Sequence, residues 1–174
     1  MYYFLSLGSN IDAEQSAVRM IHNLCLKFGC VGAYPFRYTK PEGIESEVMF
    51  LNTLVVLRSD RDSAGVKSEL NHIEESMGRD RLDPMRSMKS RCADIDILGE
   101  AEQLDLSIFA KASEAYVAAC LNLEGESPDL SQHGLAPYQG PASVYLDALT
   151  GDICVVEDEM YGLKYGLEAT FKGE

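Results

Sequence analysis

Between residues 2 and 98 short apolar runs and helical stripes follow one another as strand, helix, strand, strand, helix, strand, and few folds accept that order. Residues 2–7 form an apolar run that reads as a strand and closes on a turn at Gly8-Ser9-Asn10. From about Asp12, Val18, Ile21, Cys25 and Phe28 recur at helical spacing until Gly29. Residues 31–38 read as a second strand and 49–57 as a third, strongly apolar one with β-branched Thr53, Val55 and Val56. Residues 39–47, with Pro41 and Gly43, read as an exposed loop. Val66, Leu70, Ile73 and Met77 make the stripe of a second helix over 63–77, with Gly78 placed to cap it. In 93–98 apolar and acidic residues alternate strictly, which predicts a strand with Ile95 and Ile97 on one face and Asp94 and Asp96 on the other. A third helix is predicted over 113–123. The order predicts an α+β fold, a ferredoxin-like α/β sandwich with a βαβ-βαβ core.

Past Gly125 the pattern weakens. Residues 126–141 are polar and rich in Ser, Pro and Gly; 144–149 read as a short helix, 153–156 as a strand, and 161–171 as a further strand or a loose tail. The expected organisation is a core over 1–125 and an acidic extension over 126–174 packed on the same single domain. With 174 residues, 46% of them hydrophobic, the chain can bury one sizeable core.

Charge narrows the partners. The formal net charge of −13 argues against general nucleic-acid binding. It is uneven: residues 1–100 carry 12 Lys/Arg against 15 Asp/Glu, and residues 101–174 carry 3 against 13. Five of the 15 basic residues fall between Arg79 and Arg91, which points to a small polyanionic ligand. The start of the chain has neither a basic segment nor a long apolar one, and no stretch approaches the roughly 20 apolar residues of a membrane helix, so a cytoplasmic protein without membrane contact is expected. The five cysteines form no CxxC pair and the three histidines are scattered, which makes a zinc site unexpected and suits a reducing compartment. The sequence leaves the oligomeric state open.

The residues with chemical potential lie in the first hundred. Asp94 and Asp96, at i and i+2 on one strand, face the same way; they are either the solvated face of a strand or a like-charged pair that a hard cation neutralises. Before them runs the basic loop of Arg79, Arg81, Arg86, Lys89 and Arg91, which is either a surface loop or a phosphate-seeking one. Their juxtaposition is what a nucleotide–Mg²⁺ site needs. Ser9 and Asn10 serve a tight turn, a ligand, or both. Asn52 is an amide inside an apolar strand and demands partners, and Phe50 on the same face either packs or stacks on a flat ring. Glu74 lies off the apolar stripe and by default belongs on the surface. There is no P-loop, GxGxxG or G-x-S-x-G motif.

Together these pieces resemble the 6-hydroxymethyl-7,8-dihydropterin pyrophosphokinases. The resemblance rests on the opening strand with Gly8-Ser9-Asn10, Thr39-Lys40-Pro41-Glu42-Gly43, Phe50-Leu51-Asn52, the stretch from Glu74 to Arg79-Asp80-Arg81, and Arg91-Cys92-Ala93-Asp94-Ile95-Asp96-Ile97. It covers about residues 2–98. It implies transfer of the β,γ-pyrophosphate of ATP, as cosubstrate, to the pterin hydroxymethyl group with release of AMP. It also implies two Mg²⁺ ions on Asp94 and Asp96, phosphate contacts from Arg79, Arg91 and Arg81, and Glu74 near the nucleotide. Gly8, Thr39, Pro41, Phe50 and Asn52 would meet the pterin.

The chain departs from the usual family pattern in places. Ile108-Phe109-Ala110-Lys111 stands where a Pro-His pair is usual, and Tyr116 and Ala118 stand where an Arg and a Phe are usual. There is no Trp, and Lys40 and Glu42 occupy a loop that is normally more apolar. Two other readings stay open: a divergent paralogue that binds a nucleotide or pterin-like ligand without the usual catalysis, as a regulatory or partner-binding module, and a nucleotidyl-type transferase with another acceptor.

Overall fold

The computed structural model describes residues 1–42, 47–86 and 89–167. Strand β1 (Tyr2–Ser9) leads into helix α1 (Ala13–Phe28), followed by β2 (Val31–Ala33), β3 (Arg37–Thr39) and β4 (Phe50–Arg58). Helix α2 (Ser63–Ser76) returns the chain to β5 (Asp94–Ala101). A 3₁₀ segment over Leu106–Lys111, helix α3 (Ala115–Leu121), strands β6 (Ala142–Leu146) and β7 (Ile153–Val156) and helix α4 (Tyr161–Tyr165) complete the described chain. Asp62 caps α2, its side chain accepting from the Gly65 amide at 2.8 Å.

The sheet runs β5-β1-β4-β2-β6-β7, with β3 pairing β4 off that path. All its pairings are antiparallel. β1 and β2 are therefore parallel with β4 between them, and β4 and β5 are parallel with β1 between them. These are the two split βαβ units of a ferredoxin-like core, as the element order predicts.

β1 and β4 are buried on both faces, which is why they read as continuous apolar runs. Tyr3, Leu5 and Leu7 pack with Val18, Ile21 and Leu24 of α1 and Val66, Leu70 and Ile73 of α2. Tyr2, Phe4, Leu54 and Val56 pack on the other side with Phe109, Val117 and Cys120. There Phe109 meets Phe4 and Tyr34 edge-on, with centroids 5.5 and 5.9 Å apart.

Three local expectations are corrected. The strand expected over 31–38 is two short ones, β2 and β3, because Pro35 has no N–H for the ladder. The short helix expected over 144–149 is instead strand β6 followed by a turn, in which Asp147 accepts from the amides of Leu149 and Thr150. β2 offers β6 an open edge, with Val31 opposite Val144 and Ala33 opposite Ala142, and that pairing overrides a weak local helix preference. The strand or tail expected over 161–171 begins as helix α4; residues 168–171 lie outside the described residues. Leu130, Leu135 and Tyr138 join the same core as α1 and α2, so residues past 125 contribute to it. Among the described residues no helix is long and apolar enough to cross a membrane.

Candidate active site

The alternation along β5 places Ile95 in the core and turns Asp94 and Asp96 to the opposite face. Asp94 accepts hydrogen bonds from Arg79 and from Arg91 Nη1, the latter at 2.6 Å. Asp96 is more open, its side chain 54% accessible, with Lys67 Nζ 3.7 Å from Oδ1. Partial desolvation by burial, and then the like charge of Asp94, hold the Asp96 carboxyl above its ordinary range.

Behind this pair lies Glu74. Its place off the apolar stripe of α2 suggests a surface residue, yet it is 1% exposed. One carboxylate oxygen accepts from the Ile95 amide at 2.7 Å and from Arg79 at 3.2 Å, and the other accepts from Arg81. Burial raises its pKa, against the Ile95 amide and the two arginines, which lower it. Arg79 also donates to the Ala93 carbonyl, so α2, the basic loop and β5 are tied at one buried point.

The five basic residues of the loop divide by role. Arg79 and Arg91 stand at Asp94, and Arg91 lies 6.0 Å from the Phe50 ring centroid. Arg81 turns back onto Glu74 and Glu75. Arg86 and Lys89 fold onto Asp83, away from the carboxylate pair. Ser9 and Asn10 serve the loop rather than the cleft. Asn10 exchanges hydrogen bonds with the Arg91 backbone and reaches Ser90, and the Ser9 hydroxyl donates to the carbonyls of Ile11 and Arg91.

Beside Asp94 and Arg91 opens a cleft of about 90 Å³. Gly8 and Asn52, paired across β1 and β4, form its floor, with Phe50 beside them. The Asn52 amide donates to the Thr39 hydroxyl, and both residues are buried. A Cβ at Gly8 would run into Asn52 Oδ1, so only glycine lets that amide lie across the strand. Pro41 is half-buried between the lining residues Lys40 and Glu42; Gly43 lies outside the described residues. Tyr116 of α3 closes the far wall, its hydroxyl 3.4 Å from Ser6 Oγ. Past Tyr116 the opening continues over Ala115 and Ala119.

A family model described as 7,8-dihydro-6-hydroxymethylpterin-pyrophosphokinase (HPPK) matches residues 4–123 of the 174. The chain belongs to the HPPK family. Among curated proteins no significant match is found. The HPPK match spans every residue of the site from Ser6 to Tyr116 and ends before β6. Membership makes this a pyrophosphokinase-type fold of folate synthesis, a class that uses ATP and Mg²⁺. Among the described residues no group of three or more His, Cys, Asp and Glu forms a complete metal cage. The donor set still fits Mg²⁺, which takes one or two carboxylates and completes its shell with water and phosphate oxygens. Burial first, and then the like charge of Asp94, raises the pKa of the Asp96 carboxyl, and a divalent ion between the two carboxylates would relieve the second of these.

Two residues of the site were hidden from sequence reasoning. Lys67 has no local mark beyond its place in the second helix; its spacing of seven residues from Glu74, two helical turns, is the signal that puts both on one face. Ser6 sits in an apolar run and gives no local signal.

Proposed function

We propose that the chain transfers the β,γ-pyrophosphoryl group of ATP to the hydroxymethyl oxygen of 6-hydroxymethyl-7,8-dihydropterin. The hydroxyl oxygen bonds to the β-phosphorus, the bond from that phosphorus to the α,β-bridging oxygen breaks, AMP leaves, and the hydroxyl proton passes to solvent. The observation that carries this reading is the contact of Asp94 with both Arg79 and Arg91 at the mouth of a cleft floored by Asn52. Phosphate-seeking guanidiniums and a slot floored by an amide thus share one wall.

Asn52, oriented by Thr39 and given room by Gly8, presents its amide to the amide-like edge of the pterin. Phe50 and Tyr116 both line the slot and supply the rings against which the pterin stacks in this reading. Arg79 and Arg91 exchange Asp94 for phosphate oxygens when nucleotide enters, which frees that carboxylate. Asp94 and Asp96 would then hold the two Mg²⁺ ions, whose chemistry is to neutralise charge on the polyphosphate. Glu74 holds Arg79 and Arg81 in place, and through them acts on the nucleotide that the family resemblance sets near it. The catalysis needed is positioning and charge neutralisation, with no covalent intermediate. Free thiols at all five cysteines accord with a reducing, cytoplasmic setting.

One observation favours a second reading, in which a nucleotide or pterin-like ligand binds without turnover. Phe109, in the segment where the family usually places a histidine, is 1% exposed and committed to the core. An assay of AMP release from ATP, Mg²⁺ and the hydroxymethylpterin separates the two. AMP is expected from the wild-type chain and not from Asp96→Ala, which should also lose Mg²⁺-dependent nucleotide binding. Tight binding of both ligands with no AMP establishes the second reading, and unchanged nucleotide affinity in Asp96→Ala defeats the metal assignment.

A further inference from the structure

β5 is the edge of the sheet, and an edge strand leaves one row of backbone groups without a strand partner. At Ile95 both outward groups are taken by α2. Glu74 accepts from the amide at 2.7 Å, and Lys67 Nζ donates to the carbonyl at 3.2 Å. The two side chains stand two turns apart on one face of the helix and clamp the residue between the two acidic ones. Held this way by a neutral carbonyl, the ammonium ends 3.7 Å from Asp96 Oδ1. The other charges that act on Asp96 are Asp94, Arg79 and Arg91, and both guanidiniums are hydrogen-bonded to Asp94. Among the described residues, Lys67 is the cation paired with Asp96.

We propose that Lys67 sets the divalent-metal affinity of the acidic pair by acting as a tethered monovalent competitor for Asp96. The inference rests on the metal role assigned above to Asp94 and Asp96. Lys67 is a positioning residue: it fixes the strand edge through Ile95 and lowers the negative potential that an incoming cation meets at Asp96. Both side chains are partly exposed, 38% for Lys67 and 54% for Asp96, so solvent screens the effect and keeps it modest. A nucleotide restores the negative charge, so the site favours metal and nucleotide together over metal alone.

The test is direct titration of Mn²⁺, read by electron paramagnetic resonance, into the full chain with and without a non-hydrolysable ATP analogue. Lys67→Gln keeps a donor for the Ile95 carbonyl and loses the charge; Lys67→Arg keeps the charge; Lys67→Met is a second uncharged variant in case the glutamine one folds poorly. The uncharged variants should bind Mn²⁺ about two- to fivefold tighter than wild type at low salt. That gap should close at about 0.5 M salt, and Lys67→Arg should match wild type. Equal or weaker Mn²⁺ affinity in the uncharged variants, with Mn²⁺ still binding wild type, overturns the role of Lys67 alone. Absence of Mn²⁺ binding in every chain overturns this proposal together with the metal reading of the acidic pair.

Discussion

Removing the Glu74 carboxylate leaves the buried Ile95 amide without its acceptor and takes a buried counter-charge from Arg79 and Arg81, although Arg79 keeps Asp94 and the Ala93 carbonyl. Breaking a buried ion pair from one side costs about 3–5 kcal/mol. Glu74→Ala is therefore expected to lower stability by that amount in urea unfolding, with Glu74→Gln losing less because it keeps an acceptor for the amide. At Gly8 the consequence falls first on binding. Gly8→Ala pushes Asn52 off its place beneath the cleft, and displacement of a positioning group by an ångström costs about a hundredfold. Titration with a fluorescent pterin should show a loss of about ten- to hundredfold, and stability in urea should fall by about 1–3 kcal/mol as the added methyl overpacks Asn52. The thiols give a pH prediction. Burial pushes Cys25 and Cys120 up to about 12. At pH 8 both remain protonated in the folded chain, so alkylation should reach them only after denaturation. Because the folded pKa lies above the unfolded one, this contribution to stability is complete below the ordinary thiol value of 9.0 and is lost as pH climbs towards 12.

At the scale of elements, the two helices and the strands of the core were legible because their stripes repeat at 3.6 or 2 residues. Val66, Leu70, Ile73 and Met77 are all buried, as their spacing requires. β6 was not legible: a five-residue segment gains its conformation from the edge it joins, here β2, and no local pattern encodes that edge. Asp158 holds this region together. Its carboxylate accepts from the Ser143 amide and hydroxyl on β6 and from the Gly162 amide in α4, at 2.8–3.0 Å. Asp158→Ala leaves a buried amide and hydroxyl unsatisfied at a cost of about 1–3 kcal/mol each. Calorimetry should show the midpoint falling by about 4–24 °C, at about 2–4 °C per kcal/mol for a chain of this size.

For the whole molecule, the HPPK match ends at residue 123, but the sheet and the core do not. Deleting 126–174 removes β6 and β7, bares the edge of β2, and uncovers the surface that Leu130, Leu135 and Tyr138 fill. The shortened chain is expected to lose cooperative unfolding and to aggregate, as light scattering during a thermal ramp would show; a monomeric, cooperatively folding product would make residues 1–125 an independent domain. The sequence by itself determined the order of the core elements and the facing of Asp94 with Asp96, since both depend on spacing along the chain. It also brought Arg79 and Arg91 near that pair, because one loop runs directly into one strand. Only the tertiary structure decided that Glu74 is buried, that Ser9 and Asn10 hold the loop, that Arg86 and Lys89 stay out of the cleft, and that Lys67 reaches Asp96. Each of those depends on which distant groups are left unsatisfied once helix, loop and strand edge are brought together, and residue spacing carries no record of that.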